Sequence, residues 1–504
     1  MKKIVVVLML LTVGSKVLGF SRDITLSYFY GASHISDVFL ISLTIPTVLF
    51  AIIGQGIVTG YIPVYSQIRI GEGNNRALSY TNNVTNIVLV ACTIVIFLGI
   101  LFTNEIVTLF AVGFDDSTSD LAVHFTRITM IGIYFTALIY IFSSYLQIKG
   151  YFFVQGVMGI PLNVCFILAI IISSYSNIYV LAVGSVIAIF SQFLLVFLYA
   201  VKKNYRYEWN LHLKDEKIKQ TVTLAMPAIL GSSILQVNIL VDRTIASKIT
   251  VGGISALNYA NTLSAFVLGI FVLSISTVVF PKISKMAVEK DIEGIKKSTR
   301  VAINVVNILM VPATVGYILF AVPIVDLLFG RGAFDQTDLE LTAYALMFYS
   351  LGIVGLGVRE ILSKAFYSLQ DTKTPMINAG IALVLNIILN FILSFYLGIG
   401  GLALATSISA IMCALLLFLH FQRKFGDIGV VMLSIDFFKI VLASILMGAF
   451  CFFLNDSIVQ VTATWVALVI TVFFGCVVYA VLVYCFNVTG IREVALELKR
   501  RVIK

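Results

Sequence analysis

Residues 462–487 read TATWVALVITVFFGCVVYAVLVYCFN, a run of 26 residues without Asp, Glu, Lys or Arg. A helix rising about 1.5 Å per residue needs roughly 20 apolar residues to cross a hydrocarbon core of about 30 Å. The run is therefore read as a transmembrane helix. Its residues do not alternate in polarity, as those of a lipid-facing β-barrel strand must. Working back along the chain, apolar runs bounded by polar turns recur near 434–454, 400–421, 375–397, 339–368, 300–329, 253–280, 218–247, 178–201, 151–173, 121–147, 80–103, 38–66 and 4–30. Over 504 residues, 60% are hydrophobic and only 12% charged, against roughly 25% charged in a soluble chain. The expected fold is an all-α polytopic membrane protein with about fourteen spans. Lys2–Phe20 has the basic start and apolar run of a secretory signal but no small-x-small cleavage site, so it is read as a retained helix.

Charge placement predicts orientation. Lys202, Lys203, Arg206, Lys214, Lys217 and Lys219 crowd one junction, and Lys282, Lys285, Lys290, Lys296, Lys297 and Arg300 another on the same side. The opposite loops carry Asn104-Glu105, Asp115-Asp116, Asp335 to Glu340 and Asn455-Asp456. The positive-inside rule then places both termini in the cytoplasm of a multi-pass plasma-membrane protein. The formal charge of +9 is read as topology and contact with anionic lipid, and no nucleic-acid partner is expected.

An internal repeat divides the chain. Gln147 precedes Asn163 by 16 residues, as Gln370 precedes Asn386, at an offset of 223. Ile62-Pro63-Val64-Tyr65-Ser66 matches Phe280-Pro281-Lys282-Ile283-Ser284 at an offset of 218. The predicted organisation is a six-helix bundle over 1–201, a cytoplasmic linker over 202–217, a second six-helix bundle over 218–425, and two extra spans with a basic tail over 426–504. Paired repeats of this kind are common in transporters that rock one half against the other.

Ionisable residues within spans are expensive, at least about 2.5–3.5 kcal/mol each at the bilayer centre, so they mark candidate sites. Lys16, Arg22 and Asp23 lie on the first span and Asp37 at the start of the second. Arg22 offers a planar fork of donors suited to phosphate oxygens and Lys16 a point charge, which together imply an anionic substrate. Snorkelling to a headgroup is the competing reading for Arg22 and Asp23. Asp242-Arg243 and Arg359-Glu360 are adjacent opposite charges expected to find partners on other helices. For coupling to Na⁺ or H⁺, Asp242, Asn386, Asn390 and Thr406 supply oxygen donors, with interhelical hydrogen bonding as the alternative for the Asn pair. Gly54, Gly56 and Gly60 before Pro63, together with Pro161, Pro227, Pro312 and Pro323, suggest broken helices. Six scattered cysteines and four scattered histidines give no metal-ligand spacing. No GxxxxGK[ST] motif occurs, and no catalytic constellation can be read, so a non-enzymatic transporter without a resident cofactor is expected.

Ser15-Lys16-Val17-Leu18-Gly19-Phe20-Ser21-Arg22-Asp23, Gly31-Ala32 and Asp37 resemble the opening of the MurJ (MviN) lipid II flippases of the MOP transporter superfamily. Asn258-Tyr259-Ala260-Asn261, Pro281-Lys282-Ile283-Ser284, Phe329-Gly330-Arg331-Gly332-Ala333-Phe334 and Ala365 through Pro375 extend the resemblance over the first twelve spans. The resemblance implies two bundles that carry the undecaprenyl-pyrophosphate-linked peptidoglycan precursor between leaflets by alternating access. It implies contacts with lipid and cell-wall synthesis proteins, and substrate binding by Lys16, Arg22, Asp23 and Asp37. This chain departs from the family pattern at Thr262, after Asn261, and at Phe50 and Ala51, where the family usually has arginines. Arg243 is the candidate compensating cation. Two further readings remain open, a flippase for another undecaprenyl-linked polysaccharide unit and a non-transporting scaffold of envelope synthesis. A multidrug exporter is less expected, because cationic drugs favour acidic cavities.

Overall fold

The computed structural model describes residues 2–489, with side chains described at all of these except 2–10, 51–53, 55, 228, 230–235, 273 and 277–278. The basic tail from 490 onward lies outside the described residues. In chain order the elements are α1 (Lys2–Tyr30), α2 (His34–Gly71), α3 (Asn74–Leu101), α4 (Thr103–Phe110), α5 (Asp116–Thr129), α6 (Gly132–Ile148), α7 (Phe153–Val157) and α8 (Gly159–Tyr175). They continue as α9 (Tyr179–Lys202), α10 (Glu216–Ile249), α11 (Gly253–Val288), α12 (Ile292–Phe329), α13 (Gln336–Ser368), α14 (Lys373–Phe425), α15 (Val430–Val459) and α16 (Thr464–Cys485). No strand occurs among the described residues, and the all-helical expectation is met. Nine described helical segments are long and apolar enough to cross a bilayer, and α5 with α6, bent by 41°, makes a tenth. At 53 residues α14 would be about 80 Å long if straight. It breaks instead at Gly398 (φ 54°, ψ −131°), between the two runs separated in the sequence.

The chain divides into two compact units, Met1–Ser255 with Arg331–Asp335, and Ala256–Gly330 with Gln336 onward. Within the first, α2 packs against α3, α5, α6 and α10. Gly56-Ile57-Val58-Thr59-Gly60 forms a GxxxG face: a Cβ on Gly60 would lie 2.4 Å from the Thr221 carbonyl oxygen, and one on Gly56 2.8 Å from Ile229 Cδ1. Small residues let helix backbones approach where lipid supplies no hydrophobic drive. These glycines therefore do not break α2, which runs unbroken from His34 to Gly71. The proline signal holds better at Pro323, where Phe320 departs from helical geometry (φ −119°, ψ 23°), as expected from the clash of a proline ring with the preceding turn.

The connector from α9 to α10 is a strap bound to α3. Asn83 donates to the His212 carbonyl (3.0 Å) and accepts from its N–H (2.7 Å). Asn82 donates to the Arg206 carbonyl and accepts from the Tyr205 hydroxyl; Asn86 does the same with the Asn210 carbonyl and the Tyr207 hydroxyl. Arg76 adds an ion pair to Asp215 at 2.8 Å. A buried primary amide with its two lone pairs and two donors satisfies extended backbone that has no ladder partner of its own.

In the second unit, α13 packs between α12 and α14. Gly352 and Gly355 face the α14 backbone, where added Cβ atoms would lie 2.7 Å from Ser407 Cα and 2.8 Å from Ile411 N. The core runs through Val306, Met310, Ile353, Ile361 and Phe366. The last two spans dock on α12: Asn304 donates to the buried Asp436 carboxylate (2.8 Å), and the Tyr479 hydroxyl donates to the Ile308 carbonyl (2.7 Å). Before α14, Asp371 accepts from the Thr374 N–H and hydroxyl and from Lys424 Nζ at 2.7 Å. Partial burial raises the Asp371 pKa, but these donors outweigh it and leave the value at about 2. This motif of the family resemblance is thus a turn staple.

Replacing Asn83 with Leu removes the partner of the His212 N–H and leaves the His212 carbonyl only its 3.4 Å bond from the Asp215 N–H, a loss of about 1 kcal/mol per hydrogen bond. Limited proteolysis should then cut the 203–215 strap faster than in the parent chain. Equal cutting rates would show that the amide ladder does not hold the strap.

Candidate functional site

The first-span cations sit on a helix seated closely against α8. A Cβ on Gly159 would meet Ser15 Oγ, and one on Gly19 would touch Asn163 at 3.7 Å. Asn163 donates to the Gly159 carbonyl (2.8 Å) and toward the Ser15 carbonyl (3.4 Å). On this seat Arg22 is half-buried, donating from Nη2 and Nε to Asp23 Oδ1 at 2.9 and 3.1 Å. Its guanidinium carbon lies 5.4 Å from the centroid of Phe166. Asp23 is buried, at 3% exposure. The carboxylate and ring fix the guanidinium plane, while Nη1 has no hydrogen-bond partner among the described residues. Lys16, about 9 Å along the helix axis, is exposed. The arrangement is a positioned fork with open donors plus an exposed point charge, chemistry that fits a phosphate or pyrophosphate group.

Phe166 also lines a cavity of about 540 Å³ within the first unit, with Thr47, Phe50, Tyr140, Gln192 and Gln236 among its walls. None of its lining residues is Asp, Glu, Lys or Arg. Phe50, at a position where the resemblance implies arginine, packs on Tyr140 with ring centroids 5.6 Å apart. The wall is therefore apolar with hydroxyl and amide groups.

Asp37 does different work from Arg22. At 1% exposure it accepts from the Gly252 N–H (2.9 Å), the Ser255 N–H (2.8 Å) and the Ser255 hydroxyl. It thus caps the first turn of α11 from across the unit, satisfying donors that a helix N-terminus leaves open and placing negative charge at its positive end. Arg243 donates to the Ile254 carbonyl at 3.3 Å. Gly252 has φ +76°, and a Cβ there would lie 1.8 Å from the Ala32 carbonyl oxygen, so only glycine fits. Beside this knot the Ala333 N–H donates to the Tyr28 carbonyl at 2.8 Å, which gives residues 331–335 their place in the first unit.

Of the oxygen donors read for ion coupling, three come together in the second unit. Asn390 donates to Asn386 (3.0 Å), and Asn386 donates toward the Thr406 hydroxyl (3.4 Å), linking the two halves of α14. Asp242 belongs to the first unit, where Asn238, one turn earlier on α10, donates toward it at 3.4 Å. Asn261 is exposed and Thr262 half-buried on α11 in the second unit. Glu360 pairs with Lys364 on its own helix at 3.6 Å, where a partner on another helix had been expected; a four-residue spacing brings long side chains together. Phe166, Gly252 and Ser255 were not read as functional. Gly252-Gly253 followed by Ser255 was the available signal, a turn opening a helix.

Asp37→Ala strands three buried donors and should lower thermal stability by about 2 kcal/mol or more, visible as a lower melting temperature of the purified chain. Arg22→Ala, half-buried, should cost less. The reverse order would contradict the structural role of Asp37.

The family model described as lipid II flippase MurJ matches residues 26–484. A probable lipid II flippase MurJ from Vibrio cholerae is 31% identical over 428 residues, covering 82% of this chain and 81% of that protein. The lipid II flippase MurJ of Burkholderia cenocepacia is 26% identical over 432 residues, covering 82% of each. Among solved structures, a lipid II flippase MurJ in an inward closed conformation aligns over 95% of this chain and 98% of its own, with a TM-score of 0.82 and 26% identity. An inward-facing MATE family multidrug transporter of the MOP superfamily shares the fold at a TM-score of 0.70 and 15% identity, over 82% of this chain and 95% of that one. With the family model matched over residues 26–484 and a relative 31% identical over most of both chains, the chain belongs to the lipid II flippase MurJ family.

Proposed function

We propose that this chain moves lipid II, the undecaprenyl-pyrophosphate-linked peptidoglycan precursor, from the inner to the outer leaflet of the bacterial cytoplasmic membrane by alternating access. The observation that carries the reading is Arg22, held by Asp23 and the Phe166 face with Nη1 left open, on a chain of this family. Arg22 and Lys16 receive the pyrophosphate, and Asp23 orients Arg22. Asp37 and Arg243 act by holding the α10–α11 turn against the α1–α2 turn. Asn261 and Thr262 are uncharged, so a substrate contact at these positions adds no cation. No bond is made or broken, so the protein is a transporter and not an enzyme.

The distribution of Lys and Arg supports cytoplasmic termini. Transport is driven by the membrane potential or by Na⁺ or H⁺, with Asp242 as the ionisable group and Asn386, Asn390 and Thr406 as neutral oxygen donors. Cell-wall synthesis proteins take up the product.

In cells depleted of their own lipid II flippase, this chain should restore growth and outer-leaflet lipid II. Arg22→Ala should reduce outer-leaflet lipid II at least about tenfold, the equivalent of ~1.4 kcal/mol, at unchanged membrane expression. Failure of the parent chain with rescue by Thr262→Arg would overturn the lipid II reading in favour of another lipid-linked glycan.

A further inference from the structure

A second basic site lies far in sequence from the α1 cations. Within the first unit, a pocket of about 520 Å³ gathers Arg69, Lys149, Lys203 and Arg206, with no Asp or Glu among the described residues that line it. Arg69 ends α2, Lys149 follows α6, and Lys203 and Arg206 follow α9, so three helix C-termini converge there. Those C-termini account for the lysines. Lys149 Nζ donates to the Lys203 carbonyl (3.0 Å) and to the Tyr145 hydroxyl, and Lys203 Nζ lies 4.4 Å from the Tyr151 centroid. Arg69, in the last turn of α2, meets a C-terminus too, but neither Arg69 nor Arg206 makes an ion pair among the described residues. The N-terminus of α3, which has no side-chain cap, lines the same pocket through Asn74 and Asn75. An uncapped helix N-terminus favours anions.

A positive-inside bias requires basic residues on one side of the membrane, not four cations around one concavity. Mutual repulsion makes such a grouping unfavourable when empty. Partial burial and the neighbouring Arg69 charge both push the Lys149 pKa down, the signature of a site short of negative charge.

We infer that this pocket binds a phosphate-bearing anion at the membrane surface, with Arg69 and Arg206 gripping the phosphate oxygens and Lys203 adding charge. On the orientation proposed above, the pocket faces the cytoplasm. The chemistry is shared by the headgroup of an anionic phospholipid and by a soluble pyrophosphate. Binding here is separate from the α1 site and can be read without any transport.

The test is native mass spectrometry of the purified full chain with phosphatidylglycerol, phosphatidylcholine or inorganic pyrophosphate, alongside R69Q/R206Q and charge-preserving R69K/R206K. The parent chain should prefer phosphatidylglycerol over phosphatidylcholine by about tenfold. The glutamine pair should lose that preference and the lysine pair largely keep it. Equal losses for pyrophosphate and phosphatidylglycerol mean a general phosphate site. A loss confined to phosphatidylglycerol means a lipid site, and one confined to pyrophosphate a soluble-anion site. If R69Q/R206Q, eluting and melting like the parent, binds all three probes as the parent does, the inference is wrong. Loss of lipid II transport by Arg22→Ala should leave this binding untouched.

Discussion

A charge left unpaired in hydrocarbon costs at least about 2.5–3.5 kcal/mol, and an unsatisfied backbone group costs several more. The helices answer the backbone half of that constraint. The ionisable residues answer the other half with local partners: Arg22 by Asp23, Asp37 by the open N–H groups of the α11 turn, Glu360 by Lys364, and Asp436 by Asn304. These pairings divide into two kinds. Asp37 is deeply buried and accepts from three donors that hold a turn. Arg22 is held on one edge and open on the other, which makes it available to a ligand.

The same constraint explains the glycines. Helices in lipid gain nothing from burying leucine against leucine, so α2 and α10 come together where Gly56 and Gly60 let backbone meet side chain and carbonyl.

Much of the fold was legible because hydropathy is local. The spans near 375–397 and 400–421 reappear on either side of Gly398, and the run at 462–487 becomes α16, Thr464–Cys485. What escaped depends on partners remote in sequence. Asp37 finds its donors at Gly252 and Ser255, more than 200 residues away. Asn82, Asn83 and Asn86 look like a polar start to a span until the strap they bind is seen. Glycines that could break a helix could equally pack it, and the pattern alone does not separate the two. For the candidate site, the sequence singled out Arg22 and Lys16 by the cost of their charge and by family resemblance. It did not reveal that Phe166 holds the guanidinium, because an aromatic residue in an apolar run carries no mark of its partner.

On the function proposed above, this chain carries a pyrophosphate-linked lipid through a membrane by way of the α1 cations. The most direct test of that function is the rate at which lipid II crosses the bilayer in proteoliposomes containing only the purified chain. Crossing should run well above that in protein-free vesicles, suppressed by added pyrophosphate-linked prenyl lipid and not by phosphatidylcholine. Crossing no faster than in protein-free vesicles, under an imposed potential and with Na⁺ and H⁺ gradients, would contradict that function.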